Sequence, residues 1–335
     1  MKKSERLLAE KFLLQRIYEE DPDFVDKTME AFSLSRSTVY NYINRLQDAG
    51  ELERVGGSMP YRVLYRTTRF TIDTSKESSE DRIYNRDVAP LLEELPLNVQ
   101  KIWRYAVTAM LNNALEHARA SAIVVVVNRS RLSTIVGVLD NGVGIFRRIQ
   151  QQQREETGET ITTGEAASLL FAGGYTSLPE RHAGQGIFFT SRLMDHFAIR
   201  SDMELFTLNR EDAEEVSDRF RGTAVQMALA NDTAKDLGEV MARYIDPEEG
   251  FVRTEVPLSR IFGGSDPVSR SEARRLGEIL AGFAVAELDF SGVEELGPDF
   301  AHELFGVIAR GRPDLYLTVK NANDRVTAAI RRAGK

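Results

Sequence analysis

An aspartate and two glycines at alternate positions, Asp140-Asn141-Gly142-Val143-Gly144, directly follow the apolar run Ile135 to Leu139. A carboxylate at a strand end can accept a hydrogen bond from the exocyclic amino group of a purine, an interaction worth about 1.5–3 kcal/mol. Gly142 and Gly144 let the backbone approach a planar ring and turn tightly. Further along, Gly184-Gln185-Gly186-Ile187 opens a helical stretch reaching Asp195. Amides of such a loop, with the following helix N-terminus, suit phosphates. Upstream, Leu111-Asn112-Asn113-Ala114-Leu115-Glu116-His117 lies in a helical pattern, where Asn113 offers a neutral oxygen to Mg²⁺ beside phosphate oxygens and water. Arg221-Gly222-Thr223 precedes a last strand, and the Thr223 hydroxyl can bond near a base or a phosphate. Each box alone is common, since Asp-x-Gly-x-Gly is most often a turn. Four in order across about 110 residues point to a nucleotide site.

In order and spacing the boxes resemble the GHKL ATPases: gyrase, Hsp90, MutL, histidine kinases and anti-sigma-factor kinases. The resemblance implies an α+β Bergerat domain, an α/β sandwich, over residues 100–230. It places Asn113, Asp140, Gly142, Gly144, Thr176, Gly184, Gln185, Gly186, Ile187 and Thr223 around the nucleotide, with Asn113 on the metal. His117 reads equally as a site or a core residue. The stretch from Phe146 to Thr176 is long and polar, and the family's lid falls at roughly Gly173 to Gly184. One position departs from the pattern. The family's general base is a glutamate four residues before the magnesium asparagine, a spacing that puts both on one helix face. Here that position is Ala109, which cannot take a proton. Loss of a general base costs about 10²–10⁴-fold in rate. The chain is either a natural pseudo-ATPase or one whose glutamate was replaced; the flanking Tyr105 to Asn113 follows the family so closely that replacement is favoured.

The elements around these boxes read as a multidomain chain. In residues 1–70, Leu7, Leu8, Phe12, Leu13 and Ile17 recur at helical spacing, and Asp26 to Phe32 forms a short second helix. Ser35 caps a third helix, Arg36 to Asp48, with Val39, Ile43 and Leu46 inward and Gly50 just past its end. Glu51 to Val55 and Tyr61 to Tyr65 form a hairpin across Gly56-Gly57. The phrase Ser35-Arg36-Ser37-Thr38-Val39-Tyr40-Asn41-Tyr42-Ile43-Asn44-Arg45-Leu46, followed by Ala49-Gly50-Glu51-Leu52, resembles bacterial winged-helix regulators. That resemblance implies double-stranded DNA as a partner. Arg36, Ser37, Thr38, Tyr40 and Asn41 would face base edges and Arg45 and Arg54 phosphates, with a homodimer on a two-fold site. The competing reading is a small helical packing module.

Residues 71–99 read as a linker and 231–247 as a linking helix. Residues 248–335 alternate strand and helix, a small α/β domain: Phe251 to Ile261, Val285 to Phe290 and Leu315 to Lys320 as strands, with helices between and after them. Leu288-Asp289-Phe290-Ser291-Gly292-Val293-Glu294 and the stretch Gly297 to Gly306 resemble the STAS-like domains often fused to such ATPases. The resemblance implies a protein partner. In anti-sigma-factor antagonists a serine at this helix start is phosphorylated; Asp299 stands there, as a helix cap or as a fixed mimic of phosphoserine.

Composition frames these readings. The 335 residues carry 28% charged and 42% hydrophobic side chains, no cysteine and four histidines, so disulfide, thiolate and cysteine–zinc chemistry are excluded. The net charge of −8 argues against general nucleic-acid binding, although residues 1–70 carry 12 basic against 11 acidic groups. No apolar run is long enough for a membrane span, and the first residues read as an amphipathic helix, which together point to a cytoplasmic protein without membrane partners. The expected function is an ATP-binding transcriptional regulator whose occupancy controls dimerisation and DNA binding. The alternatives are a serine/threonine kinase or ATPase acting on a STAS-like domain, and an ATP-gated assembly. No phospho-accepting histidine helix precedes the boxes, which disfavours an orthodox histidine kinase.

Overall fold

Three separate hydrophobic cores form along the chain. The structure, a computed structural model, describes residues 3–57, 59–158, 160–173, 184–201, 204–207, 221–262 and 264–334.

The first core is built by α1 (Lys3–Tyr18), α2 (Phe24–Phe32), α3 (Arg36–Asp48) and an antiparallel hairpin of β1 (Leu52–Arg54) and β2 (Tyr61–Val63). Helix α3 starts where the Thr38 amide donates to Ser35 Oγ at 3.3 Å, satisfying one of its unpaired first-turn amides. Its buried stripe is Val39, Tyr42, Ile43 and Leu46, packed near Leu13, Leu14 and Ile17. Tyr42 joins a face that the pattern assigned to three aliphatic residues only.

The second core lies under one face of a six-stranded antiparallel sheet: β3 (Arg66–Asp73), β4 (Ala122–Arg129), β5 (Ser133–Asp140), β6 (His196–Ser201), β7 (Glu204–Thr207) and β8 (Thr223–Ala230), in the order β3-β4-β5-β8-β6-β7. Its helices are α4 (Glu80–Ile83), continuing through a π-helical turn at Tyr84–Val88 into α5 (Ala89–Leu92), then α6 (Leu97–Glu116), α7 (Ile145–Thr157), α8 (Thr163–Ala172), α9 (Gly186–Leu193) and α10 (Leu237–Ala242).

Several expectations change here. Residues 71–99 are no linker: Ile72, Ile83, Tyr84, Val88, Leu92 and Leu95 are buried in this core, and β3 pairs with β4 from Arg66 onward. The strand expected to be buried throughout, Ile123 to Val127, alternates, with Ile123, Val125 and Val127 inward. An antiparallel sheet covered on one face demands that period. The polar stretch after Phe146 carries α7 and α8, and α8 begins with a reciprocal capping box between Thr162 and Glu165. The helix within residues 231–247 is only the short α10, whose Val240 joins the core with Leu237, Met241 and Tyr244 against it.

A two-stranded pair, β9 (Ile245–Asp246) and β10 (Gly250–Phe251), leads to the third core. There β11 (Arg253–Pro257), β12 and β13 form a parallel sheet in that order, with β12 at Val285–Asp289 and β13 at Tyr316–Lys320. The helices are α11 (Leu258–Ile261), α12 (Arg270–Ile279), α13 (Pro298–Ala301), running through a π-helical stretch His302–Ile308 into α14 (Ala309–Gly311), and α15 (Asp324–Ala333). The single strand expected over 251–261 stops at Pro257, where helix α11 takes over. Ala172 at the end of α8 belongs to this third core, and its carbonyl accepts from Thr254 Oγ1 at 2.6 Å.

Candidate functional site

The facing ends of β5 and β8 bring Asp140 opposite Thr223. Asp140 is 6% exposed. Its Oδ1 accepts from the Gly142 amide at 2.8 Å and the Thr223 amide at 3.3 Å. Both bonds end on one oxygen, so the carboxylate keeps acceptor capacity for a ligand amino group. Burial pushes its pKa up, against the pull of the Gly142 and Thr223 bonds. The Thr223 hydroxyl accepts from the Ile145 amide at 3.0 Å, tying β8 to the first turn of α7.

Two glycines make this corner possible. A Cβ on Gly142 would sit 2.0 Å from the Ala118 carbonyl oxygen, and one on Gly222 would sit 2.0 Å from the Asp140 carbonyl oxygen. Gly222 also holds φ at +108°, a region that side chains rarely adopt.

Beside Asp140 lies a small cavity of about 30 Å³. Its walls include Asn113 from α6 and His117 just past its end, Asp140 and Gly144 from the β5 end, Ile187 from α9 and Thr223 from β8. Boxes scattered over more than a hundred residues of chain thus share one concavity. Met110, Ala114, Ala118, Val138, Ile145, Arg148 and Val225 also line it and escaped the motif reading. Met110, Ala114 and Ala118 continue the helical stripe of Asn113 and His117, a signal that was available. Arg148 follows Gly144 by one helical turn, and its buried Nε has no hydrogen-bond partner among the described residues.

Other expected site residues sit off the wall. Gly142 shapes the corner, while Gly184, Gln185 and Gly186 lead into α9. A Cβ on Gly186 would approach Ala109 Cβ to 3.3 Å, so position 109 faces the start of α9. Thr176 and most of the expected lid lie outside the described residues.

On α3, Arg36, Ser37, Tyr40, Asn41 and Arg45 are exposed, as is Arg54 on the hairpin. Thr38 is half-buried and its hydroxyl lies 2.8 Å from Ser35 Oγ, which turns it toward the helix cap rather than outward. Arg36 pairs with Asp26 on α2.

The far ends of β5 and β8 enter the N-terminal unit. Leu132, at the tip of the β4–β5 hairpin, is 6% exposed and belongs to the first core. Arg131 reaches Glu10 at 3.2 Å and Glu51 at 3.3 Å, while Lys11 pairs with Asp232. Asn231, just after β8, donates to the Ser130 carbonyl at 2.9 Å, and its own amide donates to the Leu132 carbonyl at 2.8 Å.

In the C-terminal unit Asp299 is exposed in the first turn of α13 and lies 3.4 Å from Arg270. Ser291 Oγ donates to Asp289, whose pKa is lowered: bonds from Ser291 and Asn321 and the charge of Lys320 together outweigh the opposing effect of burial.

By architecture this is a mixed α/β chain with several cores, and no helix among its described residues is long and apolar enough to cross a membrane. Residues 272–327 match the family model described as a STAS-like domain of unknown function (DUF4325). The C-terminal unit is therefore a STAS-like domain, with the match narrower than the 248–335 read from the residues. No curated protein matches the chain.

Proposed function

We propose that the central unit is a GHKL-type ATP-binding domain and that the N-terminal unit is a winged helix reading double-stranded DNA. The nucleotide state then governs how two copies present their α3 helices. The observation that carries the reading is the buried Asp140 carboxylate, held by two backbone amides on the wall of a cavity that also receives Asn113 and Arg148. Structural turns place an aspartate at the surface; burying one at a cavity wall is costly unless a donor meets it. In this reading adenine donates its amino group to Asp140, and Met110, Val138 and Val225 give its ring an apolar slot. Asn113 supplies one oxygen to magnesium, and Arg148 faces the ribose or phosphates. Bound Mg·ATP supplies negative charge and a hydrolysable phosphoanhydride; the chain's own residues position it.

Strands β5 and β8 support the coupling. Each runs from the Asp140–Thr223 end to the Leu132–Asn231 end, which is packed into the N-terminal core. Titration calorimetry with magnesium and a non-hydrolysable ATP analogue should show saturable binding, and Asp140→Asn should weaken it about 10- to 100-fold. No heat with the parent chain, or an Asp140→Asn variant binding equally well, removes the proposal.

The second reading, a kinase or ATPase, draws on Ala109 facing the α9 start beside Asn113. A carboxylate there would stand where a γ-phosphate meets α9. An Ala109→Glu protein given γ-labelled ATP distinguishes the outcomes: label on protein favours a kinase, free phosphate an ATPase, and neither a nucleotide sensor.

A further inference from the structure

The sheet of the central unit has a second face. Val124, Val126, Ile135, Gly137, Leu139 and Ala228 alternate with the core-facing residues of β4, β5 and β8, so they project to the opposite side. All six are partly exposed and none belongs to a hydrophobic core. The helices of this unit pack on the other side, and the C-terminal unit meets the chain through α8 and α9. Among the described residues, no hydrophobic cluster covers this face.

Its character is that of an interface. The centre has no charged side chain: Val124 pairs with Leu139, Val126 with Gly137, and Ile135 with Ala228. Polar and basic residues stand at the edges, with Thr67, Arg69 and Thr71 on β3 and Arg200 on β6. An apolar centre with a polar rim is the anatomy of protein–protein contacts; here Gln226, paired with Gly137, is an uncharged polar side chain within that centre. Strands lie about 4.8 Å apart and rise about 3.4 Å per residue, so the face spans roughly 600–700 Å² in projection. That approaches the roughly 800 Å² per partner of a standard interface.

We infer that a second copy of this chain packs on this face, sheet against sheet, in a two-fold dimer. The surface complements itself. Rows of Gly137 and Ala228 between branched side chains let two such sheets interdigitate at about 10 Å, as in β-sandwiches. The central residues being uncharged, neither two-fold orientation stacks like charges in the middle. The inference stands apart from the nucleotide and DNA readings, because a chain that bound neither would still pair. Were both readings correct, the dimer would fix the spacing of two α3 helices, since Leu132 and Arg131 anchor each N-terminal unit to the same sheet.

The test is the mass of the full chain in solution. Light scattering after size exclusion at micromolar concentration should give twice the chain mass, and Val126→Glu combined with Ile135→Lys should halve it without changing the circular dichroism. The chain has no cysteine, so Gln226→Cys, between the same rows, should cross-link to a covalent dimer on mild oxidation, whereas Ser271→Cys on α12 should not. The cross-link keeps the question decidable if the charged variant fails to fold. A parent chain monomeric throughout, a dimer untouched by the charged pair, or equal cross-linking from both cysteines would each overturn the inference. A monomeric parent would instead assign the face to another segment or another protein.

Discussion

Asp140 is under two opposed demands. Burial favours its protonated form, while amide donors, and in the proposed complex an adenine amino group, favour the carboxylate. With its pKa raised in the folded chain, the contribution of this group to stability is full below the ordinary value of 3.8 and is lost as pH rises through the raised one. A ligand that donates to the ionised form pulls the pKa back down. Binding should therefore release protons, and affinity should rise with pH across the window just above the ordinary carboxylate value. Calorimetry in buffers of different ionisation enthalpy measures that release, and Asp140→Asn should abolish it. Release persisting in the variant would assign the linkage to another group. At this scale the sequence was informative because the aspartate and its glycines are neighbours in the chain. Arg148 was not legible, since nothing in its own surroundings distinguishes it from the basic residues of any amphipathic helix.

Among the elements, the β4–β5 hairpin matters most. Its tip residue Leu132 is buried in a core otherwise made by residues 9–63, and Arg131 spans two acids of that unit. Leu132→Ala removes a buried side chain from that junction and should destabilise the N-terminal unit by about 2–4 kcal/mol. Scanning calorimetry should show this as an early transition separating from the central unit, with nucleotide affinity preserved. An unchanged melting profile would mean that the tip lies on the N-terminal unit without supporting it. The helices themselves were readable: α3 spans the stretch its cap and apolar stripe demanded, Arg36 to Asp48. β3 was not, because exposed threonines and arginines on an edge strand look like a connection until a partner strand pairs with them.

For the whole molecule, the three units are tied by side chains that cross between them. Leu132 joins the first two, and Ala172 with Thr254 joins the last two. The α8 end, which precedes the expected lid residues in sequence, is therefore anchored in the STAS-like domain's core. If nucleotide controls DNA binding, a mobility shift on a cognate site should differ with and without Mg·ATP and weaken steeply with salt, as phosphate contacts require. Sequence-specific binding absent in both states would remove the DNA half of the proposal.

By itself the sequence determined local matters. The apolar periods, caps and glycine turns place helices and strands, and the order of the short boxes, read through a family resemblance, marks Asn113, Asp140 and Thr223 as worth joining. Those signals survive because helix and strand formation depends on neighbours a few residues apart. Tertiary structure alone decided which distant residues meet: Asp140 opposite Thr223, Ala109 against Gly186, and a central-unit leucine inside the N-terminal core. It also decided that, among the described residues, hydrophobic clusters cover one sheet face and not the other. Such pairings depend on chain closure over tens of residues, and no local pattern encodes them.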